Sequence, residues 1–175
     1  MDLSKYIRNV PDWPKPGIQF KDITTLCQVS APFKEACDLL ANKFKDKEIS
    51  KVAAIEARGY VFGSVIAYLI DAGFILMRKP GKLPYDSLEV TYDLEYGQDT
   101  IEMHVDAIEE GENVLVVDDL LATGGTAEAA CELVEKAGGI VEGIGCVVEL
   151  TGGLKGRERL DRYEVISLLK IPVDE

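Results

Sequence analysis

One stretch constrains the fold more than any other: residues 113–126, reading Asn-Val-Leu-Val-Val-Asp-Asp-Leu-Leu-Ala-Thr-Gly-Gly-Thr. Its apolar, mostly β-branched run at 114–117 suits a strand buried on both faces of a parallel sheet. Two adjacent carboxylates, Asp118 and Asp119, are expected at that strand's C-terminal end. Thr123-Gly124-Gly125-Thr126 then opens an apolar pattern at Ala127, Ala130, Cys131, Val134 and Ala137, which has helical spacing. Strand, acid pair, glycine turn and helix start belong to an α/β architecture, in which ligands gather at the C-terminal ends of strands.

The same string carries chemistry. A glycine-rich turn leading into a helix offers unpaired backbone N–H groups and the positive end of the helix dipole, so a phosphate dianion can settle there without a lysine. Thr123 and Thr126 add hydroxyl donors, and the two carboxylates are acceptors suited to vicinal sugar hydroxyls. A P-loop would require Gly-Lys-Ser/Thr, which is absent, and the dinucleotide fingerprint places its glycines before the acid rather than after it. An ordinary strand-to-helix turn, with Thr126 as N-cap and a solvated acid pair, explains each feature singly but not the whole string. The string closely resembles the phosphoribosyl pyrophosphate motif of the type I phosphoribosyltransferases. The resemblance implies a largely parallel sheet flanked by helices, with an N-terminal hood, and a substrate contact running from Asp118 and Asp119 through Ala122, Thr123, Gly124, Gly125 and Thr126.

The N-terminal residues 1–30 contain Pro11-Asp12-Trp13-Pro14-Lys15-Pro16-Gly17, too rich in proline for regular structure. They read as an irregular arm laid over the domain. The wording from Pro14 to Thr24 resembles the hood of the adenine-specific members, which implies that Phe20 stacks on a purine and that backbone groups of Gln19 read its edge. Gln19 stands where those members usually carry an aliphatic residue, and Lys21 where arginine is frequent. Recognition through the backbone tolerates Gln19, whereas an inward side chain would alter base preference.

Helical spacing of Phe33, Ala36, Cys37, Leu40, Ala41 and Phe44 predicts an amphipathic helix over 31–45. A buried strand at 52–55 leads into Glu56-Ala57-Arg58-Gly59 and a helix over 60–71. Arg58, at a helix start, is badly placed for the dipole and well placed for an anion. The resemblance assigns this turn to the departing pyrophosphate and implies a non-proline cis peptide within it.

After a strand at 73–77, residues 78–91 carry prolines, a glycine and the cations Arg78, Lys79 and Lys82, without a convincing core face. A loop this long inside a compact domain is usually functional or disordered. The resemblance makes it a mobile catalytic lid that brings Lys79 and Lys82 to the pyrophosphate. Residues 92–97 alternate as a strand, and 100–104 form a second, edge-type strand. Leu94-Glu95-Tyr96-Gly97 matches the adenine-specific members, in which the glutamate meets the imidazole nitrogen of the purine and Tyr96 joins the substrate contacts. His104, the sole histidine, reads as an exposed strand residue rather than a catalyst. Strands at 140–150 and 163–168, with a basic turn and short helix at 152–160, complete the pattern.

At 175 residues and 47% hydrophobic, the chain is expected to form one domain. It has no run of roughly 18 apolar residues for a membrane span, and its start lacks a signal-peptide core. Its four cysteines show no metal-type spacing and read as reduced core residues of a cytoplasmic protein. A net charge of −12 argues against nucleic acid or acidic membranes as partners, and requires local positive charge or a metal ion wherever an anionic substrate binds.

The resemblance therefore implies transfer of phosphoribose from phosphoribosyl pyrophosphate to adenine, giving AMP and pyrophosphate. Mg2+ is expected to be held mainly by substrate oxygens and water rather than by protein ligands, and the chain is expected to be a homodimer. Two other readings are a phosphoribosyltransferase for xanthine or hypoxanthine, and a non-catalytic sensor of phosphoribosyl pyrophosphate. The sensor would need an added DNA-binding domain, and only about fifty residues precede the first sheet strand.

Overall fold

The computed structural model describes residues 1–93 and 97–173. After a 3-10 turn at Leu3–Tyr6 come β1 (Arg8–Pro11), β2 (Gln19–Asp22), α1 (Thr24–Cys27), α2 (Ser30–Phe44), β3 (Lys51–Ile55), α3 (Gly59–Leu69) and β4 (Gly73–Met77). The chain continues through β5 (Ser87–Asp93), β6 (Gln98–His104), β7 (Asn113–Leu121), α4 (Gly125–Lys136), β8 (Ile140–Gly152), α5 (Gly156–Arg159) and β9 (Val165–Val173). The central sheet has the order β4-β3-β7-β8-β9. Every adjacent pair in it is parallel.

The apolar run 114–117 lies in the middle strand with all its side chains buried. Val114 and Val116 join the core on one face, with Ala53, Ile55 and the α4 residues Ala130, Cys131 and Val134. Leu115 and Val117 join the core on the other, with Val52, Ala54, the α2 residues Cys37 and Leu40, and the α3 residues Phe62 and Ile66. A period of two divides one continuous hydrophobic run between two cores, as a strand covered on both faces demands.

Four local expectations are corrected. The arm is not irregular: β1 and β2 form an antiparallel pair in which Val10 faces Phe20. These strands are four residues each and largely polar, so they leave no periodic signal, and the prolines 14 and 16 fall in their connection. The irregular part of 78–91 is also shorter than expected, because β5 begins at Ser87 and pairs with β6 along its whole length. Val90 and Tyr92 on β5 are buried, the core face that the sequence did not suggest. The middle strand runs on to Leu121, so both acids lie within it rather than after it, and Gly124 caps α4. His104 is half-buried, its ring edge-on to Tyr85 with centroids 6.1 Å apart.

Candidate active site

The site forms where β3 and β7 deliver their C-terminal ends side by side. Helix α3 starts directly against the acid pair: a Cβ at Gly59 would lie 3.0 Å from both Asp118 Oδ1 and the Val117 carbonyl oxygen. Only glycine permits that approach without displacing backbone. Arg58, immediately before it, donates from Nε to a carboxylate oxygen of Asp119. The Glu56–Ala57 peptide is cis, within the turn where one was expected. Glu56, Ala57, Arg58, Asp118 and Asp119, together with Lys79, Tyr92, Asp99 and Thr126, line a cavity of about 270 Å³.

Charge inside this cavity is tightly matched. Asp119 is only 4% exposed and takes its countercharge from Arg58. Burial pushes the Asp118 carboxyl well above the usual carboxylate range, and the neighbouring Asp119 pushes it further. Burial works against the charge of Arg58, but the nearby carboxylates outweigh it and hold the guanidinium more firmly protonated. On the lid side, Glu56 receives Lys82 Nζ at 2.7 Å and Arg78 Nε at 2.8 Å. Burial raises the affinity of Glu56 for a proton, yet these two donors overcome it and keep the carboxyl below its usual range. Lys79 donates to Asp99, and burial lowers its proton affinity.

Two further depressions adjoin the cavity. One, of about 340 Å³, is lined by Val10, Trp13, Phe20, Asp22, Thr24 and Arg58. Trp13 meets Phe20 edge-on at 4.4 Å between ring centres. The other, of about 90 Å³, is lined by Asp118 and by loop residues including Ala122, Thr123, Gly124 and Thr126. Here Gly124 has φ +83, a left-handed conformation that favours glycine, and turns the chain into α4. The first-turn N–H groups of α4 have no intrahelical acceptor by helix geometry, which leaves them to an anion.

The structure thus gathers most of the residues expected from sequence. Arg58, Lys79, Asp118, Asp119 and Thr126 share the central cavity. Phe20 lies in the aromatic depression and Ala122, Thr123 and Gly124 in the loop depression, while Gly125 opens α4. Gln19 and Lys21 do not join them: Gln19 Oε1 accepts from Asn9 Nδ2 at 2.7 Å, and Lys21 Nζ donates to Asn9 Oδ1 at 2.8 Å. Alternate residues of a strand share a face, so both side chains lie opposite Phe20. Lys82 reaches the cavity only through Glu56. Glu95 and Tyr96 lie outside the described residues.

Sequence reasoning missed Glu56, Trp13, Tyr92 and Asp99. Tyr92 and Asp99 face each other across β5 and β6, and the Tyr92 hydroxyl accepts from Thr126 Oγ1 at 3.1 Å. Only the pairing register brings them together, and no local motif signals it. Glu56 stood beside Arg58 as an acid next to a proposed anion site, and its two cationic partners come from the lid.

Comparison with known proteins agrees with this geometry. The family model described as "Phosphoribosyl transferase domain" matches residues 24–174. An adenine phosphoribosyltransferase of Roseiflexus castenholzii is 51% identical over 97% of this chain and 98% of its own. The crystal structure of adenine phosphoribosyltransferase from Thermoanaerobacter pseudethanolicus superposes with a TM-score of 0.94 at 48% identity, covering 97% of this chain and 98% of that one. The enzyme from Saccharomyces cerevisiae, crystallised with an imino-altritol bisphosphate and adenine, gives 0.89 at 36% identity over 96% of this chain and 97% of its own. The chain belongs to the phosphoribosyltransferase family and, within it, to the adenine phosphoribosyltransferases.

Proposed function

We infer that this chain carries the reaction for which its relatives are named: adenine and phosphoribosyl pyrophosphate give AMP and pyrophosphate. The observation that carries the reading is the adjacency of three depressions: the central acidic and cationic cavity shares Arg58 with the aromatic depression, and Asp118 and Thr126 with the one at a helix N-terminus. They fit a purine, a ribosyl diphosphate and a 5′-phosphate in that order.

In this assignment the base enters beside Phe20, with its edge read by the backbone around Gln19. The ribose hydroxyls donate to Asp118 and Asp119, and the 5′-phosphate lies on the N–H groups of residues 123–126. Purine N9 forms a bond to the anomeric carbon as the bond to pyrophosphate oxygen breaks, its electron pair leaving with the pyrophosphate. The ribose passes through an oxocarbenium-like state, so positioning and electrostatics supply most of the rate. Arg58 and Lys79 face the leaving group. Glu95 accepts the proton that the imidazole ring sheds.

Mg2+ would be held mainly by substrate oxygens and by the waters it habitually keeps, since the cavity carboxylates Glu56, Asp99 and Asp119 already face Lys82, Lys79 and Arg58. When bound it neutralises the diphosphate.

Residues 1–30 serve as the hood and 78–91 as the lid of a single domain spanning 1–175. A second copy of the chain covers the exposed apolar side chains Val61, Tyr68 and Leu69 of α3 and Phe74 and Leu76 of the edge strand β4; exposed apolar residues at a sheet edge favour such pairing. A reducing, cytoplasmic location suits the four free cysteines, three of them buried. The acidic net charge speaks against nucleic acid, and no helix among the described residues is long and apolar enough to cross a membrane.

Turnover of phosphoribosyl pyrophosphate with adenine, hypoxanthine and guanine, with and without Mg2+, tests the reading. Adenine is expected to be strongly preferred and Mg2+ required; equal turnover of the three bases would remove the adenine assignment.

A further inference from the structure

Behind the phosphate loop, α5 lies close enough to determine its shape. A Cβ built on Gly156 would fall 2.2 Å from the Ala122 carbonyl oxygen and 3.2 Å from the Gly124 nitrogen. Reciprocally, a Cβ on Gly124 would fall 2.7 Å from the Gly156 carbonyl oxygen. The two backbones touch with no side chain between them. The position of Gly156 therefore sets the path of residues 122–124, whose left-handed turn at Gly124 aims the N–H groups of the loop.

Gly156 is in turn fixed by its neighbour. Arg157 forks onto Glu149, with Nε 2.8 Å from Oε1 and Nη2 2.5 Å from Oε2, and its Nη1 donates to the Val165 carbonyl at 2.8 Å. Ser167 Oγ donates to Glu149 Oε2 at 2.6 Å. Glu149 is 4% exposed on β8, while Val165 and Ser167 belong to β9, so the fork anchors α5 to two strands of the central sheet. Burying a carboxylate is costly and a buried pair adds little to stability over an apolar replacement, whereas a two-pronged guanidinium fixes geometry closely. Two residues further on, Arg159 donates to Glu128, the acid in the first turn of α4, and so offsets a negative charge beside the phosphate site.

We propose that Glu149, Arg157 and Ser167 act as a clamp that holds Gly156 against the phosphate loop, making them positioning residues for binding of the 5′-phosphate. The inference rests on the assignment of that loop to the phosphate. None of the three touches the reacting atoms.

Calorimetric affinities for AMP and for adenosine, which lacks the phosphate, separate the two ideas. Wild-type protein is expected to prefer AMP, and equal affinity for both ligands would overturn the phosphate assignment and this proposal with it. Given that preference, Gly156→Ala should weaken AMP at least about tenfold while adenosine stays within about twofold, because the new methyl must push the loop backbone aside. Arg157→Lys, which keeps the charge but not the fork, should weaken AMP about threefold or more and raise KM for phosphoribosyl pyrophosphate more than it lowers kcat. Should Gly156→Ala fail to fold, Arg157→Lys and Ser167→Ala decide. Variants that keep the full AMP preference, or lose AMP and adenosine alike, overturn the clamp.

Discussion

The guanidinium carbon of Arg58 lies 5.8 Å from the centre of the Phe20 ring, while the Nε of the same side chain donates to Asp119. One residue thus links the N-terminal arm to the acid pair on β7. Arg58 is half exposed and Asp119 nearly buried, so the contact lies at the boundary between the aromatic depression and the central cavity.

Removing Arg58 leaves the Asp119 carboxylate without its countercharge. Arg58→Ala is expected to cost about 1–3 kcal/mol of stability, less than the 3–5 typical of a fully buried pair because solvent reaches half of the arginine. Adding Asp119→Asn should restore much of that loss. Urea unfolding of both single variants and the double variant gives the coupling directly, and additive losses would deny the pair any energetic role.

Base recognition should depend on Phe20 and not on the Gln19 side chain. Phe20→Ala is expected to raise KM for adenine by roughly five- to 150-fold, the range of a lost base-stacking contact of about 1–3 kcal/mol. Gln19→Leu should leave both KM and the preference for adenine over hypoxanthine within about twofold, since its amide is bonded to Asn9 on the opposite face. A shifted base preference in Gln19→Leu would place that side chain in the site.

Acid should weaken the fold through Glu149. The Arg157 fork, outweighing burial, holds the Glu149 carboxyl down from an ordinary 4.5 to about 2. Hydrogen bonds from Thr24 and Arg8 take Asp22 from 3.8 to about 2, though the exposure of Arg8 lets solvent screen part of that gain. Both folded values are depressed, so the unfolded chain takes up protons first as pH falls. The stabilisation is complete above about pH 5 and is lost progressively towards pH 2. Urea midpoints measured from pH 6 to 3 should fall, and Glu149→Gln should flatten the decline; an unchanged slope would count against the pair.

Glu95 is assigned the proton of the purine imidazole. Glu95→Gln keeps a hydrogen-bonding group but loses the acceptor, so kcat is expected to fall at least about tenfold with KM for phosphoribosyl pyrophosphate nearly unchanged. Steady-state kinetics decide it. Wild-type turnover in Glu95→Gln would leave positioning as its only role.

How much of this was legible in the sequence varies with the physics of each element. Burial of residues 114–117 follows from their own composition, and so does the helical phase of Ala127, Ala130, Cys131 and Val134. The arm leaves no local signal because its strands are four residues each, largely polar, and paired only with each other. Strand β5 escapes a local reading because Val90 and Tyr92 become core residues only once it pairs with β6. Within the site, Arg58 and the acid pair were visible as local motifs. Tyr92, Asp99 and the Gly156 contact depend on register and on close packing between distant segments, which no local pattern encodes.

The proposed function requires the three adjoining depressions to form one site for a purine nucleotide and pyrophosphate. A crystal structure of the protein with AMP tests it most directly. The adenine ring is expected against Phe20, the ribose hydroxyls within hydrogen-bond reach of Asp118 and Asp119, and the phosphorus against the N–H groups of residues 123–126. A phosphate bound away from that loop, or a base that leaves Phe20 uncovered, would contradict it.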